Sequence, residues 1–341
     1  MVFDRQTRYL SIDIAKGIAI CMVILVHSQQ KISGIHFQAL DFGQMGCQIF
    51  FVLSGYTTAM SLKKKKDGFL LRRYISIAPG YYFMLLITHG MNFLLHRWDL
   101  TIGFAQNSSL TSLVINILLL QGLFPFCNNN VMAGGWYIGT LMLLYLVAPY
   151  LYRMLLKSRC RDLWPAFFTL CALAIAIFFK NVFSVNTVVQ NNSFFYYNVI
   201  VQLPCFLIGM IMQIENTWGK SGAPVFGGVC AFMIAIVCFF FNTTEYRYIL
   251  AVTAMGYSTY FLSFIIQKIH HCKWLEAFGR KSYYIFLVHP FFVWTMPVLL
   301  EKLFDIQGPV LYVLLLPIMF TGSYYGAVVL EEILCRILAK N

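Results

Sequence analysis

Apolar runs of about 20 residues, long enough for a helix to span a bilayer, recur along most of the chain. This pattern predicts an all-α polytopic membrane helix bundle with about ten transmembrane helices. The expected spans are 10–30, 44–62, 74–95, 134–152, 163–183, 194–214, 224–241, 248–267, 282–300 and 309–335. The shorter run 110–124 ends at Pro125, which favours a re-entrant helix over a further span.

Composition excludes a soluble protein. Apolar residues make up 60% of the 341 residues and charged residues 11%, whereas soluble domains carry about 25% charged residues. The spans leave no room for a separate soluble domain, so we predict a single integral-membrane domain over 1–341.

Lysine and arginine are concentrated in alternate loops, which predicts the orientation of the chain. If 110–124 does not cross, most of the basic residues fall on one side, and this side is expected to be cytoplasmic together with both termini. The net charge of +12 is then explained by contact with anionic membrane lipid, and no nucleic acid is implied. The expected location is the inner, or cytoplasmic, membrane. The clusters lie at 5–8, 63–73, 153–161, 220, 268–281 and 336–340.

Three ionisable residues lie within the first apolar helix: Asp13, Lys16 and His27. Charged groups are costly inside a membrane and indicate a functional site there. Lys16 and His27 are eleven residues apart, about three helical turns, so their side chains lie on nearly the same face. A polar stripe along a membrane helix indicates a reaction or transport path.

Three further motifs follow this helix, at 50–56 with 72–81, at 135–149 and at 279–289. They read Phe-Phe-Val-Leu-Ser-Gly-Tyr with Arg-Arg before Pro79, then Gly-Trp-Tyr-Ile, then Gly-x-x-Ser-Tyr-x-x-Phe-Leu-x-His. Each motif is weak alone, but the ordered set resembles the integral-membrane acyltransferase 3 family, in particular its shorter glycan or fucose O-acetylases. The resemblance covers 8–300. Two positions depart from the family pattern: Gln48 replaces an aspartate, and Ser76 replaces a basic residue.

The resemblance implies transfer of an acetyl group from acetyl-CoA to a hydroxyl of a cell-envelope glycan or a lipid-linked sugar. His27 is the expected general base, because an imidazole titrates near neutrality. Lys16 is either a contact for the donor or half of a buried ion pair with Asp13. Arg72 and Arg73 are expected to bind the phosphates of acetyl-CoA, since guanidinium groups recognise phosphate with paired hydrogen bonds.

Four further residues are predicted to line a substrate cavity: Ser54, Trp136, Tyr137 and His289. Each has a structural alternative. Ser54 with Gly55 also suits close helix packing, and the two aromatic residues suit an interfacial belt. The ten cysteines include no CxxC pair and no metal-ligand spacing with histidine, so we expect no metal.

Other function classes remain open at this level. A transporter or flippase also places ionisable residues in the membrane, although no internal repeat supports it. A scaffold without catalysis, or transfer of another acyl group such as succinyl, would leave the same sequence pattern.

Overall fold

The helices of the chain follow its apolar runs. The computed structural model describes residues 5–30, 32, 34–64, 67–96, 109–124, 127, 129, 131–183, 196–241, 246–269, 272–304 and 308–339. Within these ranges every regular element is helical, which confirms the predicted all-α class.

Fourteen α-helices make up the described part of the bundle. A 3-10 turn, Phe42–Met45, precedes the third helix, and a π-helix, Phe291–Thr295, joins the twelfth to the thirteenth. In chain order they are α1 (Arg5–Ser28), α2 (Gln38–Asp41), α3 (Gly46–Lys64), α4 (Phe69–His96), α5 (Leu110–Ile117), α6 (Gly135–Lys157), α7 (Leu163–Phe183), α8 (Val199–Ile214), α9 (Ala223–Phe240), α10 (Arg247–Lys268), α11 (Lys273–Arg280), α12 (Ser282–Pro290), α13 (Met296–Phe304) and α14 (Gly308–Leu338).

Each predicted span overlaps at least one of these helices. Six segments in the described ranges are long and apolar enough to cross a membrane, and two more apolar helices are shorter. The helix expected to be re-entrant, α5, has eight residues, about 12 Å at 1.5 Å per residue and too short to cross a bilayer. The six segments are Leu10–Ser28, Gly135–Lys157, Ala223–Phe240, Arg247–Lys268, Ser282–Glu301 and Gly308–Leu338.

Glycines bring neighbouring backbones into contact with α1. A Cβ atom on Gly279 would collide with the carbonyl of Asp13, and a Cβ on Gly17 would collide with the carbonyl of Leu275. These two contacts fix α11 against the first half of α1. On the turn before α3 and at the start of α3, Gly43 and Gly46 approach the α1 backbone in the same way.

Helices α3 and α8 cross through a reciprocal glycine contact in the core. Gly55 faces the carbonyl of Phe206, and Gly209 faces the carbonyl of Val52, both at distances that leave no space for a Cβ. Small residues at such crossings let membrane helices pack backbone to backbone. The crossing therefore fixes α3, and with it Ser54, in the centre of the bundle.

The basic loops meet at the end of the bundle where α1 begins. The Trp218 indole donates a hydrogen bond to Ser11 Oγ over 3.0 Å, and Arg161 Nε lies 3.8 Å from a Glu215 carboxylate oxygen. Together with α11, these contacts gather the loops near 160, 218 and 273 on one end. The orientation predicted from lysine and arginine requires that these loops lie on one side of the membrane.

The reciprocal crossing generates a stability prediction. Gly209→Ala is expected to lower the free energy of unfolding by about 1–3 kcal/mol, because the added methyl forces α3 and α8 apart. The measurement is the unfolding midpoint of the detergent-solubilised protein in a denaturant series. Gly227→Ala on α9 is the matched control, since nothing lies within 4 Å of its Cβ and alanine is the better helix former. Equal midpoints for the two variants would contradict the prediction.

Candidate functional site

Two cavities lie along α1. One, the histidine cavity, has a volume of about 260 Å³ and includes His27, Trp136 and His289 in its wall. The other, the basic cavity, has a volume of about 310 Å³ and includes Lys16, Ser54, Arg73 and Tyr137. The side chain of Phe286 lines both. Lys16 and His27, both on the polar stripe of α1, therefore line two cavities with one aromatic side chain between them.

His27 has one ring nitrogen engaged by Gln30. His27 Nδ1 lies 3.0 Å from Gln30 Oε1, and the same oxygen accepts a hydrogen bond from the Trp294 indole over 3.2 Å. An indole N–H only donates, so the atom of Gln30 at this position must be the acceptor oxygen. His27 Nδ1 therefore carries the proton, which leaves the lone pair on Nε2. This is the tautomer that a general base requires.

The rings around His27 hold its plane. His289 stacks on His27 with ring centroids 5.4 Å apart and an interplanar angle of 27°. Trp294 meets His27 edge-on, with centroids also 5.4 Å apart. Trp294 thus both packs on the imidazole and hydrogen-bonds the residue that sets its tautomer.

A proline explains the orientation of His289. In an α-helix the carbonyl of Phe286 would accept from the backbone N–H of residue 290, but Pro290 has no N–H. His289 Nδ1 lies 2.8 Å from this carbonyl oxygen and takes the vacant place. Its Nδ1 therefore carries the proton. His289 is only 2% exposed, and its Nε2 has no hydrogen-bond partner in the described part of the chain.

The adjacent aromatic residues Trp136 and Tyr137 line different cavities. Neighbouring residues on a helix point about 100° apart, and Trp136 lines the histidine cavity while Tyr137 lines the basic one. Trp136 stacks on Tyr197 with centroids 4.6 Å apart. Tyr137 lies 5.1 Å from Phe286 between centroids, so this pair forms part of the wall between the cavities.

Lys16 forms an ion pair with Asp13 and also lines a cavity, so the two alternatives considered from the sequence are compatible. Lys16 Nζ lies 3.5 Å from Asp13 Oδ1, and both side chains keep partial exposure, 32% and 21%. Lys16 also lines the basic cavity. It is therefore an ion-pair partner that can still reach a ligand. Asp13 itself is fourteen residues from His27, about 21 Å along the helix, so it pairs with Lys16 and does not touch the imidazole.

The two adjacent arginines before Pro79 point into different surroundings. The Arg73 guanidinium lies over the rings of Tyr145 and Phe69, 5.1 Å and 5.5 Å from their centroids, and lines the basic cavity. Arg72 is exposed, and its Nη1 donates to the carbonyl of Asp67 over 2.5 Å. Arg73 therefore faces the cavity, whereas Arg72 lies at the start of α4 towards the loop.

Ser54 lines the basic cavity together with Tyr137. No histidine is among the described residues that line this cavity, so Ser54 has no imidazole base beside it there. Across the described ranges, no three His, Cys, Asp or Glu side chains converge in a group that could hold a metal ion.

The two departures from the family pattern have different surroundings. Gln48 is buried and donates to Gln202 over 2.9 Å, while its oxygen accepts from the Tyr196 hydroxyl over 3.1 Å. This is a structural network that lies beside the histidine cavity. Ser76 lines the basic cavity, and Arg280 from the end of α11 lines the same cavity.

Three residues of the two cavities were not predicted from the sequence: Gln30, Trp294 and Arg280. Gln30 lies three residues after His27, a spacing at which helical neighbours meet, and this signal could have been used. Arg280 directly follows Gly279, the glycine of the motif at 279–289. Nothing in the linear sequence shows that it lines the same cavity as Arg73, because this depends on how α11 docks on α1.

Of three comparisons with known proteins, one finds a match. No curated protein and no solved structure matches the chain. A family model described as an acyltransferase domain matches residues 9–328, a range that contains every described residue lining the histidine and basic cavities. The chain therefore belongs to the acyltransferase 3 family, and it is a membrane acyltransferase.

Proposed function

We propose that this protein is an O-acetyltransferase that moves an acetyl group from acetyl-CoA to a hydroxyl of a cell-envelope polysaccharide or its lipid-linked precursor. One observation supports this most directly. A single helix, α1, presents a cation to one cavity and a histidine base to a second cavity, with Phe286 between them. The arrangement suits a reaction whose two substrates arrive from opposite sides.

The basic cavity suits a polyanionic donor. Lys16, Arg73 and Arg280 line it, and cationic side chains of this kind form charge-assisted hydrogen bonds with phosphate. These three residues would hold the phosphates of acetyl-CoA, with Arg72 at the start of α4 as a further contact. Acetyl-CoA supplies the thioester carbonyl that an acceptor hydroxyl attacks.

The histidine cavity suits the acceptor. His27 Nε2 is free to take the proton of a hydroxyl as the hydroxyl oxygen bonds to the acyl carbon. The bond from this carbon to the CoA sulfur then breaks, and the CoA thiolate leaves with the proton that His27 took. Gln30 accepts from Nδ1 throughout. Trp136 offers a flat aromatic surface to a sugar ring. The acetyl group has to pass the ring of Phe286, because this side chain lines both cavities.

The location follows from the same asymmetry. Acetyl-CoA is made in the cytoplasm, and the basic loops gather at the end of the bundle where α1 begins. We therefore place this end and both termini on the cytoplasmic side of the inner membrane, in accordance with the bias of lysine and arginine. The histidine cavity then lies towards the outer side.

Loss of the base is expected to abolish transfer. In membranes given labelled acetyl-CoA, wild type should label envelope glycan, and His27→Ala should transfer at least 100-fold more slowly, the lower bound for general-base catalysis. His89→Ala on the exposed side of α4 is the matched control and should retain wild-type activity. No labelling by wild type would favour another acyl group, such as succinyl, or a transporter. Equal labelling by both variants would exclude His27 as the base.

Gln30 is expected to act by positioning His27. Gln30→Leu removes the acceptor for Nδ1 and should lower kcat about tenfold, the rate equivalent of a hydrogen bond worth about 1.4 kcal/mol. Gln30→Glu keeps an acceptor oxygen and should retain most of the activity. The KM for acetyl-CoA should stay unchanged in both variants, since the donor lies in the other cavity. A raised KM would contradict this role.

Removal of a cation from the basic cavity is expected to weaken donor binding. Arg73→Gln and Arg280→Gln should each raise the KM for acetyl-CoA about 10- to 100-fold, as expected for loss of a charge-assisted hydrogen bond. Steady-state kinetics with acetyl-CoA as the varied substrate provides the measurement. The matched control is Arg336→Gln, an exposed arginine paired with Glu332 on α14. If Arg280→Gln behaves like this control, Arg280 has no part in donor binding.

A further inference from the structure

A third cavity, the apolar cleft, lies between α4 and α14 and has a volume of about 240 Å³. Its floor comes from α12 and the first residue of the π-helix. The lining includes almost only hydrocarbon and thioether side chains, among them Phe83, Met84, Met132, Leu287 and Leu330. A glycan would give up hydrogen bonds to water and find few partners there. A hydrocarbon chain makes no hydrogen bonds to water, so its burial there carries no such cost.

The apolar cleft reaches the histidine cavity. Ala133 and Pro290 line both spaces. Pro290 is also the residue that frees the Phe286 carbonyl for His289, so the wall of the apolar cleft and the orientation of the second histidine depend on the same residue. A ligand could therefore lie in the cleft with one end and present its other end to His27.

The polarity of the two spaces changes at this junction. On the far side of Ala133, the histidine cavity includes the polar side chains of Gln30, Asp41 and Asn129. An amphiphile with a hydrocarbon chain and a sugar head matches both spaces at once. Neither a free polysaccharide nor a simple hydrocarbon does so.

The rim of the apolar cleft is open and apolar. Ile87 on α4 and Val329 and Ile333 on α14 are 37%, 54% and 38% exposed, on faces that lipid would cover. Met84 and Met132 in the wall are unbranched and adapt to ligand shape. Next to Pro290 the π-helix adds a residue to the turn, a feature frequently found at functional sites.

We infer that the apolar cleft binds the hydrocarbon chain of a lipid-linked acceptor, whose sugar lies in the histidine cavity. This inference rests on the proposed function and narrows its acceptor to the lipid-linked alternative. The chain enters sideways from the bilayer between α4 and α14, and Ala133 with Pro290 marks where the chain ends and the sugar begins.

Kinetics with two acceptors tests the inference. Purified full-length protein receives acetyl-CoA and either a polyprenyl-phosphate-linked sugar or the same sugar as its methyl glycoside. For wild type the KM of the lipid-linked acceptor should be at least tenfold lower. Val329→Trp should raise that KM at least tenfold and leave the rate with the methyl glycoside unchanged. The matched control is Val313→Trp, also exposed on α14 but outside the cleft, and it should behave as wild type.

The outcomes separate this inference from the proposed function. Equal KM values for the two acceptors in wild type, or equal effects of Val329→Trp and Val313→Trp, would overturn the cleft while acetyl transfer stands. Transfer to neither acceptor by wild type would overturn the acetyltransferase proposal, and the acceptor inference would fail with it.

A binding measurement gives a second readout that needs no catalysis. A diazirine-bearing polyprenyl phosphate should crosslink to peptides within 83–91 and 326–333, and unlabelled polyprenyl phosphate should compete. Val329→Trp should lose this labelling, and Val313→Trp should keep it. Equal labelling of the same peptides by a diazirine-bearing phosphatidylglycerol would show occupancy by bulk lipid and overturn the inference.

Discussion

The close backbone packing of α1, through one glycine of its own and three on neighbouring segments, is the constraint on which the rest of the structure depends. Gly17 and Gly279 join α1 to α11, and Gly43 and Gly46 join it to the start of α3, each where a Cβ would collide with backbone. A helix that carries Asp13, Lys16 and His27 cannot face lipid without a large desolvation cost. Backbone-to-backbone packing brings other helices against this one, and Lys16 and His27 on its polar stripe each line a cavity.

The position of α1 places two ionisable residues of one helix in the walls of two different cavities. Its eleven-residue spacing places Lys16 and His27 about 16 Å apart along the axis, on one face. Phe286 stands between the cavities, and the Tyr137 ring packs against it. Under the proposed function, this separation keeps a hydrophilic donor and an acceptor on opposite sides, and their reacting groups meet at Phe286.

A neighbouring acceptor decides the tautomer of each histidine. Gln30 fixes the proton of His27 on Nδ1 because the Trp294 indole requires an acceptor at the same oxygen. Pro290 fixes His289 by leaving the Phe286 carbonyl without a backbone donor. Both imidazoles therefore keep an unprotonated Nε2. The same proline stands at the junction with the apolar cleft and at the start of the π-helix, so a single residue links three features of the site.

The sequence by itself determined the helical class, the positions of the apolar runs and the family, since about 20 apolar residues in a row have few alternatives to a membrane helix. It also determined that Lys16 and His27 share a face, because helical periodicity is a local property. Only the tertiary structure decided which cations line one cavity. Arg73 turns into the basic cavity and Arg72 does not, and Arg280 joins from α11. Such contacts depend on how distant helices dock, which is set by packing across the whole bundle and leaves no periodic trace in the chain.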